Sequence, residues 1–242
     1  YIPCFSFLSR IHLNWNKSHD SLCENSRNSR PTLHTITRTY MPTFSIEGSI
    51  GSGKSYLLNL LNEHQIPIYP EPVEVWRDYH NINVLQNYYN NPKEFTFPFQ
   101  ILVQLSMIKT FCDVRKLDKT KSYIIERSLE SAVHVFNELS YKHKNVKELE
   151  YHLLKDLYEN LSTSFPILKP DYFIYLKTVP EICLRRIKER ARPEESEITL
   201  QFLIEIEELH NRWLQKQNNV FVITSNTDSQ FENCLNFIKS KI

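Results

Sequence analysis

Apolar positions along this chain recur in two alternating periods from residue 43 to the C-terminus. Runs with little polar interruption, TFSIE (43–47), SYIIERS (122–128), DYFIYLKT (171–178) and NVFVITSN (219–226), read as buried strands. IPIYPEP (66–72) reads as a shorter strand ended by prolines. Between these runs the apolar residues fall three and four apart. Lys54 to His64 carries Leu57, Leu58, Leu60 and Leu61. The same helical spacing returns in VLQNYY (84–89), FPFQILVQLSMIKTFCDVRKL (97–117), LESAVHVFNELS (129–140), residues 147–161 and LQFLIEIEELHNRWLQK (200–216). PEICLRRIKER (180–190) opens on proline, as helix N-termini often do, and a terminal helix closes the chain. About five strands alternating with helices predict an α/β protein whose parallel sheet is covered on both faces.

Residues 1–40 break the pattern. They hold five basic residues (Arg10, Lys17, Arg27, Arg30, Arg38) against two acidic ones (Asp20, Glu24), with many Ser, Asn, His and Thr, and the first methionine is Met41. Three readings compete: a transit peptide, a disordered tail, or upstream sequence outside the working protein. The fold is therefore expected in residues 41–242, behind an N-terminal extension. A formal charge of +1 provides no basic field for nucleic acid. No apolar run approaches the roughly 18 residues that span a bilayer, so no membrane partner is expected. The five cysteines show neither CxxC pairing nor zinc-ligand spacing and read as reduced thiols of an intracellular protein. A cytoplasmic location is expected, or a mitochondrial one if residues 1–40 are a transit peptide.

Composition changes the picture at one point. The chain has three glycines in 242 residues, and Gly48, Gly51 and Gly53 fall within six positions. Residues 48–55, GSIGSGKS, match G-x-x-x-x-G-K-[ST] between an expected strand and an expected helix. Glycine lets backbone N–H groups turn inward and approach phosphates, and the helix adds its positive end. In such a phosphate-binding loop (P-loop) Lys54 reaches the β/γ-phosphates and the Ser55 hydroxyl ligates Mg²⁺. Gly48, Ser49, Ile50, Gly51, Ser52, Gly53, Lys54 and Ser55 are thus the expected nucleotide-binding residues.

A P-loop alone does not separate GTPases, ATPases and small-molecule kinases. No N-K-x-D stretch reads guanine. Glu71 stands between Pro70 and Pro72, which hold the backbone extended at a strand end. Glu126–Arg127 ends another strand, and strand C-termini of a parallel sheet face the ligand crevice. Taken singly, Glu71 fits a surface turn and Glu126–Arg127 a structural ion pair. Arg185, Arg186, Lys188, Arg190 and Arg192, followed by Glu194 and Glu195, fit a solvated helix face. Together with a P-loop they read as base, metal-side carboxylate, guanidinium and a lid closing over phosphates.

IEGSIGSGKS, PEPVEVW, PFQILVQLSM, ERSLESAVHVF and CLRRIKERARPEES, in this order, resemble the deoxynucleoside kinase family from about Met41 to the C-terminus. The resemblance implies a P-loop kinase fold with an arginine-rich lid, ATP as donor, Mg²⁺, a small-molecule deoxynucleoside as acceptor and a homodimer through the long helices. It implies Glu71 as the base toward the 5′-hydroxyl, Arg127 beside it, and Glu126 with Ser55 at Mg²⁺. Arg186, Arg190 and Arg192 would meet the phosphates, and Tyr89 and Glu195 the sugar 3′-hydroxyl. Gln100 would read the base between Trp76 and Phe136. Ala132 and Met107 stand where deoxycytidine kinases carry aspartate and arginine, which favours thymidine and deoxycytidine over purines; as apolar helix positions, Met107 and Phe136 also fit plain core packing. Pro193 departs from the small or polar residue many relatives have in the lid. A thymidylate-type monophosphate kinase would want more basic residues near Glu71 than Arg77. A non-catalytic structural relative of the fold would lack the chemistry that Lys54, Ser55, Glu71, Arg127 and the lid arginines retain.

Overall fold

A computed structural model describes residues 41–242 apart from 118–120, 166–167 and 225–227. Residues 1–40, and with them the three readings of the extension, lie outside the described residues. Five strands form one sheet: β1 (Thr43–Glu47), β2 (Ile68–Tyr69), β3 (Tyr123–Glu126), β4 (Tyr172–Leu176) and β5 (Val220–Ile223). Every pairing is parallel and the order is β2-β3-β1-β4-β5. This is the expected α/β architecture.

Side chains alternate across the sheet, so each strand feeds two cores. Phe44, Ile46, Ile124, Ile174 and Ile223 pack with Leu57, Leu58 and Leu61 of α1 (Lys54–Glu63) and Leu235 and Ile238 of α10 (Asp228–Lys239). On the other face Phe173 and Tyr175 meet Val135, Leu139 and Ile206, Leu209 and Trp213 of α9 (Leu200–Leu214). Each such fully buried side chain is worth about 1.5–3 kcal/mol.

A third cluster lies beyond β3. It joins α2 (Val73–Arg77), α3 (Val84–Asn90) and α4 (Pro92–Leu117) to the segment after β3 through Trp76, Leu85, Phe99, Val103, Met107 and Ala132. Two features here differ from the sequence expectation. The five-residue α2, packed directly behind Pro72, is too short to show a period. Helix α4 starts at Pro92 rather than at 97 and runs through Pro98. Asn91 supports that earlier start, its carbonyl accepting the amides of Glu94 and Phe95 at 3.2 and 3.0 Å. By length and composition, residues Pro92–Asp113 pass as a membrane-crossing helix, contrary to the expectation that no such run exists. Half of that span is buried inside the protein, where Leu102, Val103, Met107 and Phe111 form core.

After β3, α5 (Leu129–Ser131) passes into a π-helical turn (Ala132–Asn137) and then α6 (Glu138–Lys142). The remaining elements are α7 (Glu148–Ser164), α8 (Pro180–Arg190) and a 3₁₀ turn (Pro193–Glu195). The chain moves from β3 to β4 across β1, so strand order reverses beside β1. A crevice opens at such a point outside the strand C-termini.

Candidate active site

The loop after β1 is built on glycine conformations. Gly48, Gly51 and Gly53 have φ of 149°, 75° and 102°. A Cβ on Gly51 would lie 2.5 Å from the Cys183 carbonyl oxygen and 3.0 Å from Ile187 Cγ1, so the loop packs on α8 only without a side chain there. The Ser52 carbonyl accepts from Thr178 Oγ1 at 3.0 Å and Arg186 Nη1 at 2.8 Å, which ties the lid helix to the loop. Lys54 is buried, and its Nζ donates to the carbonyls of Ser49 (2.9 Å) and Gly48 (3.3 Å). Burial, helped by the Arg127 charge, brings the Lys54 amine down to about 8. An approaching anion reverses that shift, since it favours the protonated form.

Beside the loop Glu71 and Arg127 meet, with Arg127 Nε donating to Glu71 Oε1 at 2.8 Å. Arg127 holds an unusual backbone, φ 67°, and its amide donates to the Ile46 carbonyl at 3.0 Å. Its Nη1 donates to the Gly48 carbonyl at 3.1 Å, and its Cζ stands 4.8 Å from the Phe136 ring centre. One side chain therefore touches both the P-loop and Glu71. Ser55 Oγ donates to Glu126 Oε1 at 3.1 Å, pairing two oxygen ligands at the start of α1.

These groups border one cavity of about 570 Å³, large enough for a nucleoside beside the phosphates. Its walls include Lys54, Ser55, Glu71, Trp76, Tyr89, Gln100, Glu126, Arg127, Ala132, Phe136, Arg186, Arg190, Arg192 and Glu195. Ile50, Gly51 and Gly53 line its loop side, while Ser49 and Ser52 have their side chains buried. Gln100 is 2% exposed and its Oε1 has no protein partner, so an acceptor is held ready in an otherwise apolar wall. Trp76 is fixed by Nε1 donating to Ser106 Oγ at 2.9 Å. Tyr89 has its phenol pushed well above the usual range by burial, with Tyr88, Glu195 and Glu71 adding to it.

Met107 lies outside this cavity. It belongs to the packed third cluster and borders a small cleft with Pro72, Phe111, Glu126 and Arg127. Conversely, Leu85, Tyr88, Phe99, Val103 and Phe202 line the cavity although the sequence did not single them out. Val103 stands three residues from Gln100 and four from Phe99 on α4, and that spacing was the available signal.

The basic cluster of the lid divides. Arg190 Nη2 donates to Glu195 Oε2 at 2.6 Å and Arg192 Nη1 to Glu195 Oε1 at 3.3 Å, with Glu195 buried. Arg185 instead faces solvent with Glu189, and Lys188 is exposed. Pro193 starts the 3₁₀ turn that buries Glu194 and Glu195. Arg77 is turned to Glu194 (3.0 Å) and Glu74 (3.0 Å).

A P-loop whose lysine shares one cavity with a carboxylate–arginine pair is the arrangement of a P-loop phosphotransferase. The family model described as Deoxynucleoside kinase matches residues 44–240, and the chain belongs to that family of ATP-using kinases. It is 34% identical over 192 residues to the fowlpox virus (strain NVSL) protein named probable deoxycytidine kinase, covering 77% of this chain and 79% of that one. It is 32% identical over 173 residues to human mitochondrial thymidine kinase 2 (71% of this chain, 63% of that one). Against human deoxycytidine kinase the identity is 31% over 198 residues, 73% and 76% of the two chains.

Proposed function

We propose that this kinase transfers the γ-phosphoryl group of ATP to the 5′-hydroxyl of a pyrimidine deoxynucleoside, thymidine or deoxycytidine. The observation that carries the reading is the Arg127–Glu71 pair, 2.8 Å apart, in the same cavity as Lys54 and Ser55 and bonded to the P-loop through the Gly48 carbonyl. The Glu71 carboxylate takes the 5′-hydroxyl proton as that oxygen bonds to the γ-phosphorus. The bond to the bridging oxygen breaks, and ADP leaves with that electron pair. Arg127 holds Glu71 and the acceptor oxygen in line. Lys54, Arg186, Arg190 and Arg192 neutralise the phosphate charge, and the last two exchange Glu195 for phosphate as the lid closes.

Ser55 and Glu126, oxygen donors 3.1 Å apart, would hold Mg²⁺, which would supply charge neutralisation to the phosphates. Tyr89 and Glu195 take the 3′-hydroxyl. Gln100 offers its unpartnered amide oxygen to the base, with Trp76 and Phe136 beside the ring. Ala132, fully buried in the wall, leaves volume for the thymine methyl and adds no charge, while Met107 packs behind the cavity. Arg77, engaged by two carboxylates, is not presented to a phosphate acceptor, which weighs against a monophosphate kinase. Steady-state kinetics with ATP, Mg²⁺ and each of the four deoxynucleosides test the proposal. Thymidine and deoxycytidine should exceed the purines at least about tenfold in kcat/KM, a difference of roughly 1.4 kcal/mol. Deoxyguanosine as the best substrate would refute the pyrimidine assignment.

We also propose a homodimer, which the surface of α4 and α7 supports. Ile101, Leu105, Ile108 and Cys112 recur at coiled-coil spacing on α4, where Leu105 is 50% exposed; Leu149 and Leu153 of α7 are 70% and 47% exposed. Helix α7 adjoins α4 through Gln104 Nε2, which donates to the Leu154 carbonyl at 3.3 Å. Sedimentation should give twice the chain mass, and Leu105→Glu with Leu153→Glu should give the chain mass. A monomer before substitution would contradict it.

A further inference from the structure

The central strand β1 ends on a carboxylate that no step above uses. Glu47 is completely buried, on the face of β1 opposite Phe44 and Ile46 and shared with Thr43 and Ser45. Its Oε1 accepts from Ser45 Oγ at 2.5 Å and from the Ser128 amide at 2.9 Å, while Oε2 has no protein partner. An ionisable group kept in such a place needs a reason, because burial works against its charged form and raises its pKa.

The reason lies in what Ser128 adjoins. Three consecutive residues of the strand and loop grip the turn after β3. The Ile46 carbonyl accepts the Arg127 amide at 3.0 Å, Glu47 Oε1 accepts the Ser128 amide, and the Gly48 carbonyl accepts Arg127 Nη1 at 3.1 Å. Arg127 sits there at φ 67°, a conformation an L-residue keeps only when its surroundings impose it. Backbone carbonyls supply the first and third bonds. At the middle position β1 presents a side chain, and Glu47 is long enough to reach the amide.

We propose that Glu47 is a positioning residue: its buried carboxylate locks the Arg127–Ser128 turn to the P-loop and so sets the direction in which Arg127 meets Glu71. The inference rests on the role given to Arg127 under Proposed function. Through this lock, the loop that holds the donor and the arginine that serves the acceptor move as one body. Chemistry depends on that alignment far more than donor binding does.

The test is a double-mutant cycle with Glu47→Asp, Glu47→Gln and Arg127→Ala, read as kcat with thymidine and as the ATP dissociation constant. Glu47→Asp withdraws the acceptor by one methylene and should lower kcat about 30-fold, with the ATP constant within about threefold. Glu47→Gln keeps an oxygen at full reach and should lose less than about fivefold. In the Arg127→Ala background, Glu47→Asp should cost less than about threefold more, because its effect passes through Arg127. Parental activity in Glu47→Asp, or the same 30-fold loss in both backgrounds, would overturn the inference. Should Glu47→Asp not fold, the cycle is read with Glu47→Gln, whose smaller loss must vanish in the Arg127→Ala background. Parental activity in Arg127→Ala alone would instead overturn the role of Arg127 itself.

Discussion

Replacing Glu71 by glutamine is expected to lower kcat about a thousandfold while leaving the KM for thymidine within about threefold. Glutamine preserves shape and an oxygen for Arg127 Nε, which now reaches Glu71 Oε1 at 2.8 Å. It cannot take up the 5′-hydroxyl proton. The loss therefore falls on the chemical step, and ground-state contacts made by Gln100, Tyr89 and Glu195 persist. Radiolabel transfer from γ-labelled ATP resolves a change of this size. A variant within tenfold of the parent would mean that another group removes the proton.

Gly51→Ala is expected to be nearly as damaging by a different route. At φ 75° alanine is strained, and its Cβ would sit 2.5 Å from the Cys183 carbonyl oxygen and 3.0 Å from Ile187 Cγ1. Backbone on α8 cannot yield locally, because Arg186 on the same helix is bonded to the Ser52 carbonyl at 2.8 Å. Loop and lid helix must therefore separate. We expect about 3 kcal/mol less stability in urea unfolding and ATP binding weakened more than about a hundredfold by calorimetry. Unchanged ATP affinity would show that the loop does not depend on packing against α8.

Periodicity located the sheet and most helices because each strand is flanked on both faces by helices, and burial writes itself into an uninterrupted apolar run. Tyr172–Leu176 is the clearest case. It missed α2, whose five residues complete little more than one turn, and it began α4 at residue 97 instead of Pro92. The π-helical turn at Ala132–Asn137 left no sequence signal, although it carries Ala132 and Phe136 to the cavity wall. Among site residues, those with unusual chemistry for their position were legible: glycines with a lysine, a glutamate between prolines, and an arginine-rich helix end.

The apolar walls were not legible, and the reason is physical. A buried side chain on a helix gives the same periodic signal whether it faces a cavity or a core. Phe99 and Val103 thus went unnoticed, and Met107 was assigned to the site although it packs behind it. Glu47 was hidden for a related reason: at the end of a buried strand its position says only that it is enclosed. The lid cluster shows the converse, since charge density alone did not separate Arg186, Arg190 and Arg192, which line the cavity, from solvent-facing Arg185.

The role proposed for Glu71, held by Arg127, requires that it face the hydroxyl that is phosphorylated. The most direct measurement is a crystal structure of the protein with thymidine bound. The 5′-oxygen is expected about 3 Å from a Glu71 carboxylate oxygen, with the base edge on the Gln100 amide. A nucleoside bound with its 5′-hydroxyl directed away from Glu71, or outside the cavity between Gln100 and the P-loop, would contradict it.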